Sequence, residues 1–144
     1  MHGPDECLGN MFELCAFQLY QHEPKQWLPF YNCMFRDYPS IPKREYIHNC
    51  ANECGMDFDK LNKCASDEGE DGGFEMLRRD ARRSQELGIK TSCTITVVGK
   101  VRCVRDGGRW KNCKGGSDVN VFKKEIKDLY NSGEWDDSVD SVEL

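Results

Sequence analysis

The sequence predicts an α/β fold, here as an α+β-like fragment with helices first, then a β-hairpin, then a last helix. Three observations carry that reading: apolar residues recurring at helical spacing through the first half, one β-branched run of period two over 93–98, and proline and glycine punctuation between segments. Nine cysteines among 144 residues add a constraint of a different kind. Reducing cytosol does not usually maintain so many thiols without a metal or a redox task, so the count points to an oxidising compartment.

Over residues 7–20, Leu8, Met11, Phe12, Cys15 and Leu19 recur at helical spacing, with Pro4-Asp5 ahead as a helix start. Gln21 to Pro24 interrupts this stripe, and residues 27–35 form a second apolar helical stretch. Pro39 and Pro42 then force an extended or turning connection, because proline fixes its own φ and restricts the residue before it. Asp57 is placed to cap a helix carrying Phe58, Leu61, Cys64 and Ala65. Gly72-Gly73 opens a longer helix with Phe74, Leu77, Ala81 and Ser84, closed by Gly88. The acidic residues 66–72 between them read as a polar loop.

Past Gly88 the period changes to two. Cys93, Ile95 and Val97 alternate with Thr94, Thr96 and Val98, which reads as a strand. Gly99-Lys100 fits a two-residue hairpin loop with glycine first, returning Val101-Arg102-Cys103-Val104 as the second strand. Asp106-Gly107-Gly108 makes a turn, and Ser117 is placed to cap a final helix bearing Val119, Phe122, Ile126, Leu129 and Tyr130. The expected organisation is one cysteine-rich domain over 1–130 followed by an acidic disordered tail over 131–144.

Composition excludes some partners. The formal net charge is −5 and the basic residues are scattered among carboxylates, so nucleic acid is not an expected partner. Arg78-Arg79-Asp80-Ala81-Arg82-Arg83, the densest basic stretch, lies inside a helical pattern and reads as a solvated face. No window approaches the roughly 18 apolar residues of a membrane span, so membrane insertion is not expected. Residues 1–6 carry neither a basic nor an apolar leader region, and an odd cysteine count leaves one thiol over. Both suggest that the N-terminus printed here is not that of the natural precursor. Ser141-Val142-Glu143-Leu144 matches a retention tetrapeptide only in its last two residues and reads as an ordinary acidic end.

The stretch His2-Gly3-Pro4-Asp5-Glu6-Cys7-Leu8-Gly9-Asn10-Met11-Phe12-Glu13-Leu14-Cys15 is, by itself, a capped helix start with two cysteines. It also resembles the signature of the gamma-interferon-inducible lysosomal thiol reductase (GILT) family. There Cys-Gln-His-Gly is followed after two residues by Glu-Cys, then Asn, then Cys. His2, Gly3, Glu6, Cys7, Asn10 and Cys15 coincide with it, and Met1 stands at the glutamine position. Looser likenesses extend to the helical middle around Cys50 and Cys64, the strand ending in Val98-Gly99-Lys100, and the last helix. Cys103 to Trp110, with Cys113-Lys114-Gly115-Gly116, looks like the fungal branch of that family.

The resemblance implies a thioredoxin-like fold with a helical insertion, here missing the N-terminal strand, helix and strand. It implies reduction of disulfide-containing protein substrates without a cofactor, in a secreted, lysosomal or vacuolar setting of the secretory pathway. In the family the nucleophilic cysteine lies upstream of the signature, where a helix start favours its thiolate. This chain is therefore expected to be inactive alone, with no catalytic residue of its own. No Cys-x-x-Cys occurs; the nearest spacing is Cys50-Ala51-Asn52-Glu53-Cys54. The alternative is a secreted, disulfide-stapled module that binds a partner and performs no chemistry.

Eight cysteines are candidates for structural disulfides: Cys7, Cys15, Cys33, Cys50, Cys54, Cys64, Cys103 and Cys113. Cys7 and Cys15, if both helical, stand ~12 Å apart along the axis, beyond the ~7 Å limit for a bridge, so their partners must differ. Cys15 on the apolar face can also be read as a buried thiol. Cys103 and Cys113 flank a Gly-rich connection, and a bridge between them would contribute about 2 to 3 kcal/mol, although other pairings remain open. A zinc site from His48, Cys50, Cys54 and Cys64 has only one close cysteine pair where such sites usually have two, so no metal is expected. His2 reads as part of the signature turn or an exposed residue before it reads as a general base. Aligning Val98-Gly99-Lys100 with the family's strand end puts Cys93 where thioredoxin-like proteins carry a cis-proline. Cys93 is then either a core-facing staple or a resolving thiol facing an upstream nucleophile.

Overall fold

The computed structural model describes residues 3–41, 43–91 and 93–133. The chain is α+β, and it folds as two compact units, the first reaching Arg83 and the second beginning at Ser84.

The first unit holds α1 (Pro4–Tyr20), α2 (Pro24–Arg36), a 3-10 turn at Tyr38–Ser40, α3 (Arg44–Glu53), α4 (Phe58–Ser66) and most of α5 (Gly73–Glu86). Pro4 and Pro24 sit in the first turns of α1 and α2, where the missing N–H has no intrahelical partner to lose. Asp57 caps α4 by accepting from the backbone N–H groups of Asp59 at 3.0 Å and Lys60 at 3.2 Å. The helices form a closed circuit, in which α1 packs on α2 and α4, and α3 packs on α2 and α4. Phe12, Phe30, Met34, Ile47 and Leu61 fill its interior.

Disulfides join two of the four seams. Cys15–Cys64 links α1 to α4 across a Cα separation of 5.9 Å, and Cys33–Cys50 links α2 to α3 across 5.6 Å. The other two seams rely on side chains. Between α2 and α1 the Tyr31 hydroxyl donates to the Glu13 carbonyl at 2.7 Å, and between α3 and α4 the Phe58 ring meets the edge of His48 and the Arg44 guanidinium. The Asp57 N–H donates to the Tyr20 hydroxyl at 2.9 Å, adding to the bridged α1–α4 seam.

The second unit is an antiparallel sheet in the order β1 (Thr94–Val97), β2 (Lys100–Asp106), β3 (Arg109–Lys111), followed by α6 (Val119–Ser132). The hairpin forms, with a loop one residue earlier than the sequence suggested. Val97 pairs with Lys100, so the loop is Val98-Gly99, with φ of 47° and 68°. Two residues at positive φ match the right-handed twist of the flanking strands, and this selects the register over a loop with glycine first. The Asp106-Gly107-Gly108 turn is itself a second hairpin loop, since Asp106 pairs with Arg109. Its return strand β3 is too short to show a period in sequence.

Between Ile95 and Thr96 the pairing partner steps from Cys103 to Val101, a bulge with Arg102 as the extra residue. Two successive side chains, Arg102 and Cys103, are consequently buried together. Arg102 donates from Nε to Glu125 of α6 at 2.6 Å and from Nη2 to the Gly116 carbonyl at 3.3 Å, and it lies over the Phe122 ring.

The cap of α6 is Asp118, which accepts from the Asn120 N–H at 2.8 Å, in place of the expected Ser117. The helix starts at Val119, so Asp118 holds the capping position and Ser117 stands one residue outside it. Residues 131 and 132, assigned from sequence to the acidic tail, continue α6. The rest of that tail, together with His2 and Pro42, lies outside the described residues.

Two outcomes follow. Removing the Cys15–Cys64 bridge by double alanine substitution should lower unfolding free energy by about 4 kcal/mol, and removing Cys33–Cys50 by about 3 kcal/mol, because their sequence separations are 49 and 17. Denaturant melts read the ordering, and a larger loss from the shorter loop would contradict the chain-entropy account. Val98→Gly relieves a β-branched residue from the left-handed region, a strain of roughly 1–2 kcal/mol that glycine's own backbone entropy partly offsets. Hydrogen exchange along Thr94–Val97 should slow, and faster exchange would show that the valine is not strained there.

Candidate functional site

The signature residues of α1 form one stripe. Gly3 at the N-cap, Glu6, Cys7 and Asn10 follow the spacing that stacks side chains on a single helical face, and Glu13 continues it. Glu6, Cys7 and Asn10 are half-buried. Cys15 falls on a different side of α1, fully buried, where it meets Cys64 of α4.

Of the eight candidate staple cysteines, six are paired: Cys15 with Cys64, Cys33 with Cys50, and Cys103 with Cys113 at a Cα separation of 4.4 Å. The last bridge ties β2 to the segment that follows β3. Cys50 and Cys64, two residues of the zinc reading, are thereby held as disulfide sulfurs. Among the described residues no three His, Cys, Asp or Glu side chains gather as a metal-binding group.

Cys54 and Cys93 carry free thiols. Cys54 ends α3 as its C-cap, half-buried, and burial pushes its thiol up. Glu53 adds to that shift, while the Arg36 guanidinium opposes it. Cys93 is exposed just ahead of β1 with φ of 60°, and its carbonyl accepts from the Arg105 N–H at 3.0 Å. The left-handed backbone takes Cys93 out of the strand's alternation, so it does not face the core with Ile95 and Val97.

Sequence reasoning missed two groups. Arg36 binds Glu53 with Nη2 at 2.7 Å from both carboxylate oxygens, beside the Cys33–Cys50 bridge. Helix spacing alone does not show which residues of α2 and α3 oppose each other. Glu13 is the second: burial at the α1–α2 seam raises its carboxyl to about 7. Its position between Phe12 and Leu14 was the available signal, a carboxylate flanked by residues that pack inward. Near it the Tyr31 hydroxyl is pushed up by burial and by the charges of Glu13 and Asp80. Trp27 stacks edge-on against both Tyr31 and Phe17 at the same seam.

Three comparisons bear on this arrangement. The family model of gamma interferon inducible lysosomal thiol reductase (GILT) matches residues 1–55. Vacuolar-sorting receptor 1 of Pisum sativum is 25% identical over 101 residues, covering 67% of this chain and 16% of the receptor. The chain thus spans less than a fifth of that receptor. No solved structure matches. The stripe of Gly3, Glu6, Cys7 and Asn10 on α1 lies within the matched segment, as does Cys15, whose bridge partner Cys64 lies beyond it. Over residues 1–55, then, the chain is similar to the GILT family.

Proposed function

We propose that the chain is the disulfide-stapled portion of a thiol–disulfide oxidoreductase, serving disulfide-containing protein substrates in a lysosomal or vacuolar compartment, and that its own thiols do not turn substrates over. The distribution of its cysteines carries this reading. Six of nine are locked in bridges. Cys54 stands at a helix C-terminus, where the dipole disfavours a thiolate, and Cys93 precedes a strand. Cys7 lies near the start of α1 behind two carboxylates, Asp5 and Glu6, which counter the positive end of the helix. Three disulfides are consistent with passage through the secretory pathway. Among the described residues no helix is long and apolar enough to cross a membrane.

The similarity to a vacuolar-sorting receptor favours a second reading, a stapled module that binds a protein ligand and does no chemistry. The two differ in what the intact bridges are for. On the second reading, the immobilised chain retains vacuolar precursor proteins, and reducing its bridges abolishes that retention.

Insulin reduction tests the first proposal. The purified chain should show no turnover above that of unstructured thiols, and turnover comparable to a thioredoxin at equal concentration would overturn it.

An acidic setting is supported by Glu13. Its carboxyl is raised from 4.5 to about 7, so folding favours the neutral acid. The sign follows from linkage: this contribution is fully present below the ordinary carboxyl range and is lost as pH rises through about 7. Glu13→Gln, neutral at every pH, should flatten that loss. Allowing for partial solvent exposure, the wild-type chain should lose roughly 1–2 kcal/mol relative to the variant between acid and neutral pH. Denaturant melts across that window measure it, and parallel profiles would show that Glu13 is not buried as an acid.

A further inference from the structure

Three cysteines meet where α3 ends. Cys50 is bonded to Cys33 of α2, and Cys54 follows Cys50 by one helical turn, a spacing that puts Cβ atoms about 5–6 Å apart on one helical face. Glu53 stands beside them, with Oε2 at 3.7 Å from Cys33 Sγ and both oxygens held by Arg36. A bridged sulfur has no proton to donate. That close approach becomes a hydrogen bond only when Cys33 is released as a thiol, and the carboxylate is already in place to accept it.

We propose that Cys54 and the Cys33–Cys50 bridge form an internal thiol–disulfide exchange site, in which Cys54 replaces Cys33 on Cys50 and frees Cys33. The thiolate Sγ of Cys54 attacks Cys50 Sγ, the Cys33–Cys50 bond breaks, and a Cys50–Cys54 bond forms. The electron pair of the broken bond leaves on Cys33, which takes from solvent the proton that Cys54 gave up. One disulfide and one thiol stand on each side, so no oxidant or reductant is needed.

A bridge requires Cβ atoms about 3.5–4.5 Å apart, so one partner must move by about 1–2 Å. Cys54 can do so by turning its side chain, while its N–H stays bonded to the Cys50 and Ala51 carbonyls at 3.2 Å. It has left helical geometry with φ −96° and ψ 4°, and Gly55 behind it turns the chain away at φ 68°. Cys50 is fixed in the core at 1% exposure. The product leaves Cys15–Cys64 intact but removes the covalent link between α2 and α3. Cys33, at the released end, lies beside the Arg36–Glu53 pair, whose carboxylate favours its protonation to a thiol once it has left. This inference stands whether or not the chain has a reductase history, since it concerns only the chain's own bridge.

The test holds the oxidised chain without added thiol at about pH 6 and about pH 9, on either side of the ordinary cysteine range. Each sample is quenched with acid and alkylated, and its disulfide peptides are mapped. Of Cys33, Cys50 and Cys54, only Cys54 should carry label at the lower pH, the exposed Cys93 being labelled at both. At the higher pH the Cys54 label should move to Cys33 together with a Cys50–Cys54 peptide, at a rate independent of protein concentration. Cys54→Ser, which touches no bridge and should fold normally, should give no label on Cys33 at either pH. Label that stays on Cys54, that appears on Cys50, or that moves at a concentration-dependent rate overturns the proposal.

Discussion

The Cys15–Cys64 bridge closes the circuit of four helices that forms the first unit's core. It joins the first helix to the fourth, so the loop it removes from the unfolded chain contains almost everything between them. α3 and α4 have 10 and 9 residues, below the length at which an isolated helix is stable in water. Their helicity therefore depends on the packed interior of Phe30, Met34, Ile47 and Leu61. The bridge favours that interior by lowering the entropy of the unfolded chain. Cys33–Cys50 then fixes the opposite seam, and the remaining two close through side chains, a tyrosine hydroxyl between α1 and α2 and the Phe58 ring against His48 and Arg44 between α4 and α3.

What could be read from the sequence divides along a physical line. Features set by one local segment were legible: the helical stripe of α1, the Asp57 cap, the β-branched strand, and the two glycine turns. Features set by an opposing segment were not. The hairpin loop fell on Val98-Gly99 because twist and cross-strand pairing outweighed the aversion of valine for positive φ. Cys103–Cys113 was considered because the two cysteines are close in sequence. Cys33–Cys50 was not, because their meeting depends on how two helices pack. Residues 131 and 132 stayed helical although their composition suggested tail, since Gly133, in the left-handed conformation, is where the helix stops.

The second unit shows a different economy. No residue of α6 is fully buried, so its apolar stripe contributes little by area. Arg102 compensates through geometry. The bulge turns its side chain inward, where the ion pair with Glu125, the carbonyl of Gly116 and the ring of Phe122 engage it at once. A buried ion pair seldom adds much net stability over apolar residues of the same size, but removing one partner strands the other. The arrangement thus specifies where α6 lies more than it strengthens the unit.

The chemistry of the remaining thiols and acids points in one direction. Cys54 stands one turn from a disulfide that it could dismantle, and burial together with Glu53 pushes its thiol up, against the opposing pull of Arg36. Glu13, unrelated in sequence role, is neutral over the acid range for the same physical reason, removal from water. In acid the chain therefore buries no charge at the α1–α2 seam and presents no nucleophile to its α2–α3 bridge. As pH rises both protections weaken, the first by ionising a half-buried carboxyl and the second by admitting a thiolate. Both sites are therefore quieter in acid than at neutral or basic pH. Fold and staples alone do not choose between reduction and binding, because either can be grafted on the same framework.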